Sequence, residues 1–306
     1  RTRTPLVPRN WNQKRDDMAT LLRGAPVAQA LSEQIGRDCR TLQEHGILPT
    51  FCLVRMGERP EDLAYERGMC RRAEMLGVQV KKKILPADAA EEDLIQTLEE
   101  VNNDSLIHGC LLFRPLPAYL DSRRISHHLR QEKDIDAIAS ASMGSLLSDG
   151  AGGFAPCTAT ACLKLLHHYQ IPLQGRRIAV IGKSATVGLP TALLMMGEEA
   201  TVSVCHILST PEDTRSMCRD ADIIISAAGC AGLIRAGHVR PGQVVIDVGI
   251  NKGPDGTLCG DVAFDEVEPI VDAITPVPGG VGAVTSAVLI GHAVEAAMNA
   301  FQNGDI

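Results

Sequence analysis

The fold is decided by Ile178-Ala-Val-Ile-Gly-Lys-Ser-Ala-Thr-Val-Gly-Leu-Pro190. The first four residues form a short apolar, largely β-branched run, which is typical of a buried parallel strand. Gly182 permits a tight turn after that strand, and Gly188 allows the following helix to lie close to it. Such a turn directs free backbone N–H groups at an anion, usually the pyrophosphate of a dinucleotide. Ser184 stands in place of the usual second glycine, so an ordinary strand–turn–helix unit remains an alternative at this point.

Apolar runs and helical patterns alternate along both halves of the chain. In the C-terminal half, strands are predicted at 201–205, 222–227 and 244–248. In the N-terminal half, strands are predicted at 49–54, 78–84 and 107–112, and helices at 27–42, 63–76 and 90–101. Further helices are predicted at 158–169 and 285–301. We therefore predict an α/β protein with two α/β domains flanking a cleft, whose C-terminal half is a Rossmann-type doubly wound parallel sheet.

Composition excludes several classes of function. The chain has 306 residues, enough for two domains, and 45% of them are hydrophobic. The net charge of −7 without a long basic block argues against nucleic acid or an anionic membrane as a partner, and 3% aromatic residues leave few stacking platforms. We predict no apolar run long enough to span a bilayer, and no secretory signal. The ten cysteines contain no C-x-x-C pair, so no metal site is predicted, and they suit the reducing cytoplasm.

Residues 1–17 differ from the rest of the chain. Leu6-Val-Pro-Arg9 resembles a protease-cleavable linker, and Met18 has the character of a natural start. We interpret the segment as an expression tag or linker and exclude it from the fold. A native disordered tail is the alternative.

Short motifs in chain order resemble the methylenetetrahydrofolate dehydrogenase/cyclohydrolase family over nearly all of residues 18–301. They are Gly57-Glu-Arg-Pro60 with Tyr65, Phe113-Arg-Pro-Leu-Pro117, Lys133-Asp-Ile-Asp136, Pro156-Cys-Thr158, Val180-Ile-Gly-Lys-Ser184, Val245-Ile-Asp-Val-Gly-Ile-Asn251, Gly260-Asp-Val262 and Thr275-Pro-Val-Pro-Gly-Gly-Val-Gly282. The resemblance implies a folate-binding catalytic domain at 18–160 plus 287–306 and a dinucleotide-binding Rossmann domain at 161–286. It also implies a tetrahydrofolate substrate and a homodimer.

The resemblance assigns substrate contacts to five residues. Tyr65 would lie against the folate ring system, and Asp136 would accept hydrogen bonds from the pterin amino and ring N–H groups. Their structural alternatives are a half-buried helix tyrosine and a helix or loop cap. Gly279, Gly280 and Val281 would let the main chain approach folate and nicotinamide, and a purely structural turn is the alternative there.

Two departures from the family bear on catalysis. Bifunctional members carry a lysine four residues after the tyrosine, where this chain has Met69, and a glutamine where this chain has Phe113. Hydride removal from a carbon between two nitrogens needs mainly alignment. Ring opening by water needs a positioned acid–base group, which neither side chain supplies. The pattern looks like a branch of the family that keeps the dehydrogenase and leaves cyclohydrolysis to a separate protein.

We therefore predict oxidation of methylenetetrahydrofolate to methenyltetrahydrofolate with NAD(P), with cyclohydrolase activity weak or absent. Tyr65, Asp136, Met69 and Phe113 are the predicted catalytic residues. Two alternatives stay open. One is a bifunctional enzyme that uses another proton donor, and the other is a non-catalytic folate- or nucleotide-binding paralogue.

The cofactor prediction favours NADP over NAD. NAD sites of this type often have an acidic residue at the end of the second strand, and residues 205–210 contain none. Lys183, His206 or Ser209 could face a ribose phosphate, although Ile207 stands where some relatives have a phosphate-binding serine. The predicted cofactor-binding residues are Gly182, Lys183, Ser184, Thr186, Val187, Gly188, His206, Ser209, Ile250, Asn251, Gly282 and Thr285. Asp247 and Gly249, beside this set, are expected to contribute backbone contacts.

Overall fold

The structure is a computed structural model that describes residues 18–147, 153–253 and 256–304. The predicted tag or linker at 1–17 lies outside the described residues. The chain forms two compact units. We call Ala28–Thr160 together with the chain from Val284 onward the first unit, and Ala161–Ala283 together with the chain up to Val27 the second unit.

The elements alternate along the chain. The described strands are β1 (Thr20–Leu21), β2 (Thr50–Met56), β3 (Gln79–Leu85), β4 (Gly109–Leu112), β5 (Arg177–Ile181), β6 (Thr201–Cys205), β7 (Ile223–Ser226), β8 (Val244–Asp247), β9 (Asn251–Lys252), β10 (Leu258–Cys259) and β11 (Ala273–Ile274). The described α-helices are α1 (Gly24–Glu44), α2 (Pro60–Met75), α3 (Glu91–Asn103), α4 (Ser122–Ser126), α5 (Ser140–Ser145), α6 (Cys157–His168), α7 (Gly188–Gly197), α8 (Pro211–Asp220), α9 (Phe264–Val267) and α10 (Gly282–Asn303).

The second unit contains a six-stranded parallel sheet in the order β1-β11-β8-β7-β5-β6. Its central strand β7 reads Ile-Ile-Ile-Ser and is buried throughout, because both faces of a parallel sheet are covered. Burial of each isoleucine contributes about 1.5–3 kcal/mol. From β5 the chain passes to β6 on one side and later to β7 on the other, so the strand order reverses beside β5. Such a reversal marks where α/β sheets bind ligands. The predicted Rossmann-type doubly wound sheet is confirmed.

The first unit contains a three-stranded parallel sheet in the order β3-β2-β4. All of the central strand β2 is buried, whereas the edge strand β3 has one buried residue among its seven and carries three consecutive lysines. Charged side chains on an edge strand oppose pairing with another chain. Pro60 at the first helical position and the acidic residues after it favour the start of α2, and Gly77, with a φ of 78°, follows its end.

Two segments lie in a different unit from the one predicted. Residues 18–27 were predicted with the first unit, but β1 pairs with β11, with Thr20 opposite Ala273. A two-residue strand has no periodicity to read, so its sequence does not reveal this pairing. Residues 284–286 were predicted to belong to the second unit, but the part of α10 that starts at Val284 belongs to the first unit. There, Arg72 Nη1 donates to Ser286 Oγ at 2.9 Å.

Helix α10 corrects the prediction that no apolar segment could span a bilayer. By length and composition alone it could, with a mean hydropathy of 1.2 over 18 residues. In this structure 56% of that window is buried within the protein. The ring of Phe301 near its end lies 4.8 Å from the ring of His45, which follows α1. The apolar face therefore packs as a core helix does.

Candidate active site

Helix α2 positions Tyr65 and Met69 one turn apart. Tyr65 is 44% exposed, whereas Met69 is 1% exposed and among the largest fully buried side chains. Desolvation raises the pKa of the Tyr65 phenol well above its usual value, and the negative charge of Asp136 acts in the same direction. The phenol therefore stays protonated at neutral pH. Met69 fills space in the unit, as predicted for a thioether in place of an ammonium.

Phe113 follows β4 and lies beside Tyr65, with the two ring centroids 5.6 Å apart and the planes tilted by 59°. Aromatic pairs at this separation contribute about 0.5–1.5 kcal/mol beyond their buried area. A cavity of about 170 Å³ opens next to Phe113. Its lining includes Asp62, whose carboxylate accepts hydrogen bonds from Arg59 at 2.8 and 3.1 Å. Neither Tyr65 nor Asp136 lines this cavity.

In the Lys133-Asp-Ile-Asp136 motif, two side chains have structural roles and one can be reached by a ligand. Lys133 Nζ donates to the carbonyl oxygens at the end of α3, at 2.8 to 3.0 Å, and caps that helix. Asp134 is fully buried and accepts from two backbone N–H groups and from Ser142 Oγ. Asp136 differs, because its side chain is 25% exposed. It is the carboxylate of the motif that a ligand can reach.

Among the described residues, Asp136 has two protein partners, Arg114 and Cys157. One carboxylate oxygen, Oδ2, lies 3.3 Å from Arg114 Nη2, and the other, Oδ1, accepts from the backbone N–H of Cys157 at 3.4 Å. Cys157 begins α6, so the carboxylate also benefits from the helix dipole. The structural alternative for Asp136, a helix cap, therefore describes one of its contacts, and its role in binding the pterin stays a prediction. The sequence prediction missed the Arg114 partner, since no local pattern links residues 22 positions apart.

A buried cysteine–histidine pair lies behind Asp136. Cys157 Sγ is 3.3 Å from the carbonyl oxygen of Ile135, and His292 Nδ1 is 2.9 Å from the same oxygen. The His292 ring stacks on Phe154, with centroids 4.8 Å apart. Burial raises the pKa of the Cys157 thiol well above its usual value, and the charge of Asp136 adds to this. The thiol is therefore an inert packing group that holds the Ile135 peptide.

In the second unit, the turn after β5 has the geometry that the two glycines predict. Gly182 has a φ of 123°, and a Cβ at that position would overlap the carbonyl oxygen of Ala227. A Cβ at Gly188 would overlap the carbonyl oxygen of Gly182. Ser184 Oγ accepts from the N–H groups of Val187 and Gly188 at 3.2 and 3.3 Å. In such turns these amides face an anion, and here the Ser184 hydroxyl oxygen accepts from them; the tight turn from Gly182 to Gly188 itself fits a dinucleotide pyrophosphate.

Other predicted cofactor residues form local structure around this turn. Lys183 and Thr186 are exposed, and the Thr186 hydroxyl lies 3.5 Å from Ser184 Oγ. After β6, Ser209 Oγ accepts from the His206 N–H at 3.0 Å, and His206 Nδ1 accepts from the Leu208 N–H at 3.2 Å. The polar side chains of His206 and Ser209 therefore form hydrogen bonds within the turn that follows β6. Ile207, in the same turn, is 96% exposed.

Two buried aspartates hold the loops that follow β7 and β8. Asp261 accepts from the N–H groups of residues 228, 229 and 230 at 2.6 to 3.2 Å, and from Asn251 Nδ2 at 2.9 Å. Asp247 accepts from the N–H groups of Gly249, Asp261 and Val262 at 2.9 to 3.0 Å. Burial raises the pKa of Asp247 to about 6. Both side chains therefore position backbone segments. The sequence prediction included the Gly260-Asp-Val262 motif but did not assign this role to Asp261.

The remaining predicted residues fall in two places. Gly279 has a φ of 101°, its carbonyl oxygen accepts from the Gly24 N–H at 2.8 Å, and Val281 is buried. A Cβ at Gly280 would lie 2.5 Å from the Pro276 carbonyl oxygen. Ile250 is 67% exposed, and its Cδ1 would be 3.9 Å from a Cβ on Gly282. These residues belong to the second unit. Thr285, on α10, belongs to the first unit, and so do Tyr65 and Asp136.

Comparison with known proteins identifies the two halves. Residues 22–136 match the family model described as tetrahydrofolate dehydrogenase/cyclohydrolase, catalytic domain. Residues 156–301 match the model described as tetrahydrofolate dehydrogenase/cyclohydrolase, NAD(P)-binding domain. The chain is also 45% identical over 281 residues to the bifunctional protein FolD of Carboxydothermus hydrogenoformans, covering 91% of this chain and 97% of that protein. The chain belongs to the tetrahydrofolate dehydrogenase/cyclohydrolase family.

Solved structures of the tetrahydrofolate dehydrogenase/cyclohydrolase family share the fold. The bifunctional enzyme FolD from Campylobacter jejuni superposes with a TM-score of 0.89 at 35% identity, covering 92% of this chain and 99% of that one. The Trypanosoma brucei enzyme, complexed with NADP and an inhibitor, gives a TM-score of 0.87 at 30% identity, covering 94% and 99%. The predicted enzyme class, an NAD(P)-dependent methylenetetrahydrofolate dehydrogenase, is confirmed at the level of the family, and so is the nicotinamide dinucleotide. The narrower prediction of a monofunctional branch stays a prediction, because the relatives named here are bifunctional FolD proteins or dehydrogenase-cyclohydrolases.

Proposed function

We propose that this protein oxidises methylenetetrahydrofolate to methenyltetrahydrofolate, transfers the hydride to NADP, and hydrolyses the methenyl product weakly or not at all. The observation that carries the second part is Met69. It is an apolar side chain, 1% exposed, at the position where the resemblance expects a lysine in bifunctional members. The relatives compared above are named bifunctional, so this is the point at which the proposal departs from them.

The dehydrogenase step requires placement from the first unit. The bond that breaks joins hydrogen to a carbon between two nitrogens, and a nitrogen lone pair stabilises the resulting cation, so no proton has to leave that carbon. Asp136 provides carboxylate oxygens for the pterin N–H groups. Tyr65, protonated and resting on Phe113 at 5.6 Å, provides a rigid face for the ring system. Alignment of this kind is worth a large part of such a barrier.

Hydrolysis requires more than placement. Water must attack the methenyl cation and lose a proton, and a positioned acid–base group accelerates such a step about 10²–10⁴-fold. Met69 and Phe113 cannot carry protons. Lys82 approaches α2 from β3, but its Nζ is held by the buried carboxylate of Glu66 at 2.7 Å. Hydrogen bonding to Glu66 raises the pKa of Lys82, which further opposes its use as a proton shuttle.

The second unit fits the cofactor. When bound, the nicotinamide cofactor supplies the hydride acceptor. The backbone of residues 182–188 forms the tight turn at which a pyrophosphate can bind, because side chains at Gly182 and Gly188 would overlap the carbonyl oxygens of Ala227 and Gly182 and prevent that turn. Residues 205–210, at the end of β6, contain no acidic residue to bind an unmodified ribose, and Lys183 is exposed in the turn after β5, which favours the additional phosphate of NADP. NAD remains the alternative cofactor.

One spectrophotometric experiment tests these statements. The full chain is mixed with methylenetetrahydrofolate and either NADP or NAD, and the same cuvette is then followed for decay of the methenyl product. We expect cofactor reduction, a higher kcat/KM with NADP, and methenyl decay at the rate measured without protein. Absence of reduction would leave the non-catalytic paralogue. Rapid methenyl decay would instead establish the bifunctional alternative.

The assembly and location are part of the same proposal. A homodimer and a separate cyclohydrolase that consumes the product are proposed from the family resemblance. A cytoplasmic location is supported by the ten cysteines, all of which are free thiols. Light scattering on the purified chain tests the dimer.

A further inference from the structure

The ion pair between Arg114 and Asp136 places a cation directly beside the carboxylate proposed to bind the pterin. The contact joins Arg114 Nη2 to Asp136 Oδ2 at 3.3 Å. Both side chains are accessible, with 34% and 25% of their surfaces exposed. An ion pair this exposed contributes about 0–1 kcal/mol to folding, so stability does not explain the presence of Arg114. Its guanidinium group carries five N–H donors in a fixed plane, and one contact leaves others for a ligand.

The two side chains together present a row of hydrogen-bonding groups. Asp136 Oδ1 lies toward the Cys157 N–H, and Oδ2 lies toward Arg114. Read from one side to the other, the row offers an acceptor, a second acceptor and then a donor. A carboxylate has about four acceptor positions. The two protein donors use two of them, which leaves the remaining two for a ligand that brings adjacent N–H groups.

The pterin ring offers the complementary row. Its 2-amino group and N3–H are adjacent donors, and the oxygen on C4 beside them is an acceptor. If the amino group meets Oδ1 and N3–H meets Oδ2, the C4 oxygen falls on the Oδ2 side, where Arg114 lies and can donate to it. This pairing fixes the direction of the ring as well as its edge, with the amino group at Oδ1 and N3–H at Oδ2.

We infer that Arg114 is a substrate-binding residue that donates to the C4 oxygen of the pterin and selects 4-oxo over 4-amino pteridines. The inference rests on the proposed function and adds to it a specificity-determining contact. A guanidinium donor facing a C4 amino group would oppose another donor, so the same contact that favours one ring disfavours the other. Phe113, the preceding residue, holds this position of the chain through its buried ring.

The test measures binding of tetrahydrofolate and of 4-aminotetrahydrofolate to the full-length protein by calorimetry. For Arg114→Leu we expect tetrahydrofolate to bind about tenfold more weakly, the usual cost of a charged hydrogen bond after allowance for partial exposure. The 4-amino ligand should bind as tightly as before or more tightly. Arg114→Lys keeps the charge but not the planar donor set, and should give an intermediate ratio.

The matched control is Arg124→Leu, which removes an arginine from another ion pair of the same unit, 2.8 Å from Glu91. It should leave the ratio of the two affinities at the wild-type value. If Arg114→Leu weakens both ligands equally, Arg114 only orients Asp136 and the inference is wrong. If both ligands bind more tightly, Arg114 is a competitor for the carboxylate and the inference is again wrong. Cofactor reduction by the wild type is scored separately, so an unchanged ratio in an active enzyme refutes Arg114 alone.

Discussion

Met69→Lys is the perturbation that most directly separates the two reactions. Lysine and methionine have similar length and helix propensity, so α2 tolerates the exchange as a helix. The position is 1% exposed, and an ammonium there loses its hydration. We expect the lysine pKa to fall by several units from about 10.4, toward the working pH.

The stability cost can be worked from that burial. If the lysine is neutral in the native state at pH 7.4, keeping it deprotonated lowers the free energy of unfolding by about 4 kcal/mol. This is the difference of about three units between pH 7.4 and the ordinary lysine pKa of about 10.4, at about 1.36 kcal/mol per unit. A domain with about 5–15 kcal/mol of stability remains folded, with a lower melting temperature. A lysine with a pKa near neutrality is also well matched to acid–base catalysis. We expect Met69→Lys to accelerate methenyl hydrolysis about 100-fold, the lower end of that range, because Phe113 still occupies the second altered position.

The assay follows loss of methenyl absorbance at several enzyme concentrations, with the rate in buffer subtracted. Met69→Leu preserves volume without a proton carrier and should match the wild type, with a change in stability below about 1.5 kcal/mol. Met69→Gln adds polarity without a titratable group and should also leave hydrolysis slow. A folded, dehydrogenase-active Met69→Lys that hydrolyses no faster than Met69→Leu would refute the reasoning, as would rapid hydrolysis by the wild type.

Three further outcomes are expected. Gly188→Ala should raise the KM for NADP by tenfold or more without raising that for the folate, because its Cβ would overlap the Gly182 carbonyl oxygen; equal KM values for NADP would contradict the turn assignment. Asp247 has a pKa raised from 3.8 to about 6, so the native state binds its proton more tightly and its contribution to stability falls as pH rises from about 4 to 6. The stability advantage of wild type over Asp247→Asn, measured by urea unfolding, should therefore shrink by about 2 kcal/mol between pH 4 and 7, and a pH-independent difference would exclude this. His292→Leu removes the donor at the Ile135 carbonyl oxygen and should raise the KM for methylenetetrahydrofolate several-fold, whereas His292→Asn, which keeps an N–H donor, should restore most of it; equal effects of the two substitutions would indicate packing alone.

The alternating architecture was readable from sequence because its signals are local. The apolar run at 178–181 and the helical spacing at 63–76 are patterns contained within one segment each. Strand β5 and helix α2 lie at these places. Gly182 was readable for a similar reason, since a glycine after a buried strand points to a special backbone angle. Strand β1 was not readable, because its partner β11 lies more than 250 residues away and neither has more than two residues.

The candidate site was only partly readable, because resemblance names residues but not their partners. Asp136 was expected to face a ligand, yet its pairing with Arg114 depends on how two loops meet in three dimensions. Asp247 was expected to lie where ligands bind, and the structure shows its oxygens already engaged by three backbone N–H groups. Whether an aspartate serves a ligand or a loop is decided by burial, and burial is a property of the folded chain.

The aspartates Asp247 and Asp261 have a dynamic consequence. Asp247 accepts from the backbone N–H of Asp261, and Asp261 in turn accepts from residues 228–230, so the segments after three strands share one continuous set of bonds. Separate loops normally open one at a time, each with its own small free energy. Here the amide protons of residues 228–230, 249 and 262 should exchange with deuterated solvent at a common rate, as one cooperative opening. The loops at this edge of the dinucleotide-binding unit then open and close together, so their arrangement exists before the cofactor binds.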